Sequence, residues 1–244
     1  SLKFGLYSAG DSQVEALLVG EADFSAEGTG QFHANDAHGN ALTTGNVSIR
    51  DQRDAVGEIE VLLAASKLPP PAAIGHRIVH GGPKLRRHCI IDDEVLQHLD
   101  TAVPFAPLHL PPALAIICSA RELFPPLPHM ACFDTTFHAD LPDVARVLSL
   151  PKELRVGGIQ RYGFHGLSCE SILHQLGNDV PDHVVIAHLG NGASVTAVRG
   201  GKSIDTSMGL TPTGGVIMGT RSGDLDPGVL IYLAREKNFD AAIL

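Results

Sequence analysis

The chain of 244 residues carries 27 acidic against 18 basic side chains, a formal net charge of −9, and is 44% hydrophobic. That apolar content supports a sizeable core and excludes disorder for the chain as a whole, and the acidic balance argues against a general nucleic-acid binder. Trp is absent and aromatics make up 5%, which disfavours stacking platforms for bases or sugars. Leu2, Phe4 and Leu6 alternate with Lys3, Gly5 and Tyr7 and predict a strand, and residues 15–19 predict a second. Residues 28–45 are small and polar and read as a loop. Val56, Ile59, Leu62 and Leu63 have helical spacing, which predicts a helix over 55–67 that Pro69, Pro70 and Pro71 stop. A strand over 74–79 then runs into Gly81 and Gly82. Asp92 or Asp93 is placed to cap a short helix through Leu99, and residues 111–124 read as a longer helix with prolines in its first turn.

A short buried strand over 130–133 follows the turn at Pro125 and Pro126, and a domain boundary is expected just after it, dividing the chain into 1–136 and 137–244. Residues 183–188 form a strongly apolar run. Alternating strands over 193–199 and 202–207 are joined by Gly200 and Gly201, a composition suited to a tight primed hairpin turn. Asp226 and Pro227 open a helix through Lys237, with Asp as N-cap and Pro at the first position. Strands in hairpins, then helices, then a second such set predict an α/β protein of two related halves.

Cys89, Cys118, Cys132 and Cys169 match no C-x-x-C or zinc-ligand spacing and read as free buried thiols of a reducing compartment. No run approaches the ~20 apolar residues of a membrane helix, and the first ten residues do not resemble a signal peptide. A cytoplasmic protein with no membrane partner is expected.

Five segments place polar residues and glycines where a fold alone does not require them. Arg77 lies inside the apolar strand of GHRIVHGG (75–82) and is either half of a structural ion pair or an anion ligand. His76 and His80 lack a third ligand nearby and read as ordinary hydrogen-bonded histidines. Asp134 follows a buried strand immediately, at a position where α/β sheets gather ligands and where turn or cap residues also occur. His165 sits between glycines in RYGFHG (161–166), which permits close backbone approach to a ligand but also suits a plain turn. The HLGNGAS stretch (188–194) can converge amide N–H groups on a phosphate, although it is not a Walker A loop. Arg221, flanked by small residues, suits bidentate contact with a phosphoryl oxygen, the alternative being a loop pair with Asp224.

These stretches occur in the same order in one family. With APLHLPP (106–112), CFDTTFH (132–138) and the long run at 188–228, the chain resembles the acetokinase family of the sugar kinase, Hsp70 and actin superfamily. The resemblance implies an α/β fold of two ribonuclease-H-like domains with a cleft between them, the second domain incomplete. It implies phosphoryl transfer between ATP and acetate, giving acetyl phosphate and ADP, with Mg²⁺ or Mn²⁺, in a homodimer that has no nucleic-acid or membrane partner. The alternatives are a propionate- or butyrate-type acyl kinase and a non-catalytic fragment.

By the same resemblance, Arg77 matches the substrate-carboxylate arginine, Arg221 the arginine on the transferring phosphoryl group, and His165 the transition-state histidine. Asp134 matches the active-site acid, and His109 a further cleft histidine. Val79, Leu108, Phe164 and Pro212 match the pocket for the acetate methyl, and His188, Leu189, Gly190, Asn191 and Gly192 the phosphate-binding loop. Acetate is already ionised at neutral pH, so Asp134 is expected to orient an arginine or a metal-bound water rather than abstract a proton. The family's metal ligands and adenosine-binding segment fall outside residues 1–244, so no metal ligand is expected within the chain and little turnover from it alone. Leu110, Leu167 and Cys169 replace the family's usual Asn, Thr and His.

Overall fold

The computed structural model describes residues 1–10, 14–24 and 30–244, which divide into two compact units that interleave along the chain. One comprises Ser1–His76, Cys89–Asp100 and Leu108–Ala131; the other comprises Arg77–His88, Thr101–Pro107 and Cys132–Leu244.

The first unit opens with an antiparallel meander of β1 (Leu2–Ala9), β2 (Val14–Ala22), β3 (Gly30–Asp36) and β4 (Ala41–Val47), in that spatial order. The expected loop at 28–45 is thus two strands and a turn where it is described; Gly28 and Thr29 lie outside the described residues. Pairing explains the difference. Phe32 faces Ala22 and Gly45, and Ala34 faces Gly20 and Thr43, so register with β2 and β4 supplies what the local composition does not. The turn is closed by Asp36, whose Oδ1 accepts from the amides of His38 and Asn40, each at 2.8 Å. Helix α1 (Gln52–Ala65) is capped by Asp51, which accepts from the Asp54 amide. Its Ala55, Ile59 and Leu62 pack on Ala22 and Phe32 of the meander and on Ile49 just after it.

Next come β5 (Ile74–Ile78), β6 (Cys89–Ile90), α2 (Asp93–Thr101), α3 (Leu110–Leu123) and β7 (His129–Phe133). The sheet order is β5-β7-β6. Asp92 accepts from the Val95 amide at 2.8 Å and so caps α2. Leu110 is fully buried at the first turn of α3 and is a core side chain. Cys118 on the same helix is exposed, which corrects the expectation of four buried thiols; only Cys169 is buried, and Cys89 and Cys132 are half-buried. Residue 118 falls on the outward side of α3, whose buried stripe is Leu110, Ile117 and Ala120.

The rest of the second unit holds the short helices α4 (Asp143–Arg146) and α5 (Lys152–Val156), then α6 (Gly166–Leu176), β8 (His183–Leu189), β9 (Ala193–Arg199), β10 (Lys202–Thr206) and α7 (Pro227–Glu236). Strands 8 to 10 form an antiparallel sheet in the order β10-β9-β8. Gly200 and Gly201 both have positive φ, 55° and 75°, as a primed hairpin turn requires. Cys169, Ile172 and Leu173 of α6 pack on Val184, Ile186 and Val198, which gives Cys169 a packing role.

Candidate active site

Arg77, at the fourth position of β5, turns its guanidinium to Asp134, the first residue after β7. Nε lies 3.1 Å and Nη2 2.7 Å from the same carboxylate oxygen, and Nε lies 3.3 Å from the other. Asp134 is buried at 3% side-chain exposure, while Arg77 stays 64% exposed at its outer end. The carboxylate raises the Arg77 pKa above its ordinary value, its hydrogen bond being the main cause. The ion-pair reading of Arg77 is what the structure shows: the pair commits Nε and Nη2 and leaves Nη1 without a contact to Asp134. The main chain of Asp134 is fixed as well. Its amide donates to the Ile78 carbonyl at 2.9 Å, and its carbonyl accepts from the Gly166 amide at 2.7 Å. A Cβ on Gly166 would fall 2.4 Å from that carbonyl, so glycine is required at the start of α6.

One residue earlier, His165 has a left-handed backbone at φ 62°. Its Nδ1 lies 2.9 Å from Ser194 Oγ, and its ring stacks on that of His188 with centroids 4.0 Å apart. His188, near the end of β8, is held in turn by Ser168, with Nδ1 2.9 Å from Oγ. Burial first, then His188, Arg77 and Arg221, push the His165 pKa down to about 4. The imidazole is neutral at pH 7. It can donate one N–H to an anion without bringing a third positive charge to the site.

The loop after β8 closes on itself, with the Gly190 amide donating to the Gly192 carbonyl at 3.0 Å. A Cβ placed on Gly192 would lie 3.1 Å from Arg221 Nη1 and 3.2 Å from His165 Nε2. These two donors therefore converge on the bare Cα of Gly192. Arg221 is steadied by the Pro212 carbonyl, 3.0 Å from Nη1, and Asp224 instead accepts from the Gly215 amide at 2.7 Å. Val79 packs against Phe164, Ala193, Met208 and Met218, so an apolar wall stands beside the charged groups. Arg77, Arg221 and His165 are thus close enough to influence one another, with Val79 and Phe164 as apolar neighbours.

Residues 1–243 match the model of the acetokinase family. The chain belongs to the acetokinase family. It is 53% identical over 173 residues to an acetate kinase of Shewanella amazonensis, covering 68% of this chain and 43% of that protein. It is 39% identical over 254 residues to an acetate kinase of Campylobacter lari, covering all of this chain and 64% of that protein. Among solved structures it is similar to a propionate kinase from Francisella tularensis, with TM-score 0.87, 33% identity, and coverage of 97% of this chain and 65% of that one. It also resembles Porphyromonas gingivalis acetate kinase, with TM-score 0.82, 30% identity, and coverage of 100% and 66%. The fold is the mixed α/β, actin- and Hsp70-type fold of these kinases. The chain spans 43% to 64% of the length of the curated relatives named here.

For this acetokinase chain, the second unit brings together Arg77, Val79, Asp134, Phe164, His165, His188, Gly192, Pro212 and Arg221. Leu108 and His109 lie in the first unit, exposed at the start of α3. Leu189 is exposed at the end of β8 and leads into Gly190 and Asn191. Among the described residues no group of three or more His, Cys, Asp or Glu could hold a metal ion, and both Asp134 oxygens are taken by Arg77. The described residues do not fit a protein-built metal cage. Sequence reasoning assigned no role to Ser168, Ser194, Ser203 and His138; all four serve as hydrogen-bond partners of, or next to, the site, and none has a spacing signature.

Proposed function

We propose that the protein catalyses reversible phosphoryl transfer from ATP to acetate, giving acetyl phosphate and ADP. The observation that carries this reading is the Arg77 fork locked on buried Asp134 beside neutral His165 and Arg221. In this reading the acetate carboxylate meets the uncommitted edge of Arg77 while its methyl faces Val79 and Phe164. The γ-phosphoryl group meets Arg221, His165 Nε2 and the loop of residues 188–192. A carboxylate oxygen forms the new bond to phosphorus, the bond to the β,γ-bridging oxygen breaks, and the electron pair leaves on ADP. No proton has to move, because acetate is ionised at neutral pH. Asp134 has no base role here: its oxygens orient Arg77. Catalysis is then positioning and charge neutralisation. The nucleotide substrate in this reading is MgATP.

The test is formation of acetyl hydroxamate from acetate, MgATP and hydroxylamine by the purified protein. A second reading, a propionate-preferring kinase, is favoured by the likeness to the Francisella propionate kinase. It would show as a higher kcat/KM for propionate. No product from any short-chain acid would overturn both and leave a non-catalytic binding module. A homodimer acting in the cytoplasm belongs to the same reading. Mass measurement in solution checks the first point, and fractionation of the source cells the second. Among the described residues no helix is long and apolar enough to cross a membrane.

A further inference from the structure

We infer that His138 is a positioning residue for His165, acting through the Phe164 carbonyl; the inference rests on the phosphotransfer reading for its kinetic arm only. His138 ends the 3-10 turn Thr136–His138 that follows Asp134, and is 2% exposed. Its Nε2 lies 3.0 Å from the Phe164 carbonyl oxygen and its Nδ1 lies 2.9 Å from Ser203 Oγ. A carbonyl oxygen can only accept, so the proton sits on Nε2, and Nδ1 must accept from the Ser203 hydroxyl. Both ring nitrogens are spent. Burial pushes the His138 pKa down to about 4, so the ring stays neutral and this single tautomer persists through the working pH range.

What the ring holds is the turn that presents His165. Gly163 and His165 both have positive φ, 71° and 62°, a region uncommon for residues other than glycine, so contacts that hold the turn bear directly on how His165 is presented. His138 supplies two of the constraints. A Cβ on Gly163 would meet the His138 ring at 2.7 Å, so the turn lies flat against the imidazole. The peptide joining Phe164 to His165 is then pinned by the Nε2–H bond. Two other bonds complete the frame: the Gly166 amide on the Asp134 carbonyl, and Ser194 on the His165 ring. His138 and Asp134 lie four residues apart, so one short segment sets both the Arg77 orientation and the His165 backbone.

The test compares His138→Leu, which removes both hydrogen bonds, with His138→Gln, whose side-chain amide can still donate to the Phe164 carbonyl. For His138→Leu, kcat for acetyl phosphate formation should fall by roughly 10²-fold, the scale for displaced catalytic groups, with KM for MgATP little changed. His138→Gln should recover most of that loss. ¹⁵N spectra of the wild-type histidines should show the Nε2–H tautomer for His138, and the His165 ring resonances should move in the Leu variant. A folded Leu variant with wild-type kcat, a Gln variant as impaired as Leu, or an Nδ1–H tautomer would overturn the inference. Should the Leu variant fail to fold, the Gln variant and the wild-type tautomer decide. Should the wild-type protein not phosphorylate acetate, the reading of its function fails, and this inference is still decided by the His165 ring resonances: they should move in His138→Leu and stay near wild type in His138→Gln, and unmoved resonances in a folded Leu variant would overturn it.

Discussion

Truncating Arg77 tests whether one guanidinium both satisfies a buried carboxylate and binds the substrate anion. Asp134 keeps 3% of its side chain exposed and receives three contacts within 3.3 Å from Arg77. Breaking a fully buried pair costs about 3–5 kcal/mol. Arg77 is 64% exposed, however, so water can follow the retreating side chain, and the expected loss for Arg77→Ala is about 1–3 kcal/mol. Asp134→Asn keeps the volume and leaves a solvated arginine, so it should cost only about 1 kcal/mol. The double variant should then be more stable than the sum of the two losses, by at least ~1 kcal/mol, because no orphaned charge remains. Turnover should behave otherwise. Each single variant should lose roughly 10²-fold or more in kcat/KM for acetate, and the double variant should not regain it. Urea unfolding and the hydroxamate assay on the same four proteins separate the two roles. Losses of stability that add to within ~0.5 kcal/mol would refute the coupling, and near-normal acetate kinetics for Arg77→Ala would remove it from the substrate site.

Arg221→Ala should lower turnover by roughly 10²-fold or more, and Arg221→Lys should recover little of it, since an ammonium cannot reach both the Pro212 carbonyl and a phosphoryl oxygen; steady-state kinetics with acetate check this. Val79→Ala opens the wall formed with Phe164 and Met208 and should shift preference from acetate towards propionate by about tenfold or more, read as the ratio of kcat/KM values. Buried His80 and His138 should make the protein acid-labile: their native pKa values, about 4, lie below the unfolded 6.5, so their contribution is complete above pH 6.5 and lost as pH falls towards 4. Each should contribute about 1 kcal/mol per pH unit near pH 5, measured by urea melts across that range.

Elements with a local cause were legible in the sequence. The period of α1, the prolines and cap of α7, and the two glycines between β9 and β10 each dictate their structure without help from distant residues. Strands β3 and β4 were not legible. Gly30, Ala34, Ala41, Thr43 and Gly45 have no strand pattern of their own; pairing of β3 to β2 and of β4 to β3 decides them. The site shows the same division. Arg77, Asp134, His165 and Arg221 stand out as polar residues among glycines and apolar strands. Their relations do not, because Arg77 and Asp134 are 57 residues apart and His165 and Ser194 are 29 apart. That Arg77 forms an ion pair with Asp134 is visible only in the packing, which buries the carboxylate and leaves the arginine 64% exposed. The serines and His138 were missed because a hydrogen-bond partner needs no motif, only a place within about 3 Å.

The charge of the site follows from these pairings. A chain with net charge −9 has to hold two anions, a carboxylate and a polyphosphate in the proposed reaction, against its own field. Two arginines alone would suffice electrostatically, but unpaired guanidiniums on long side chains are poorly oriented. Asp134 gives up one unit of that charge to fix Arg77, and Arg221 is fixed at no charge cost by the neutral Pro212 carbonyl. His165, kept neutral by burial and by the same two arginines, adds a donor without adding charge. The sum is close to +1, concentrated beside an apolar wall. In the proposed reaction, fixed donors would favour the arrangement in which negative charge spreads over the transferring oxygens. Orientation, more than total charge, is what the fold has been built to supply, and this is why the buried partners Asp134, Ser194 and His138 matter as much as the groups they hold.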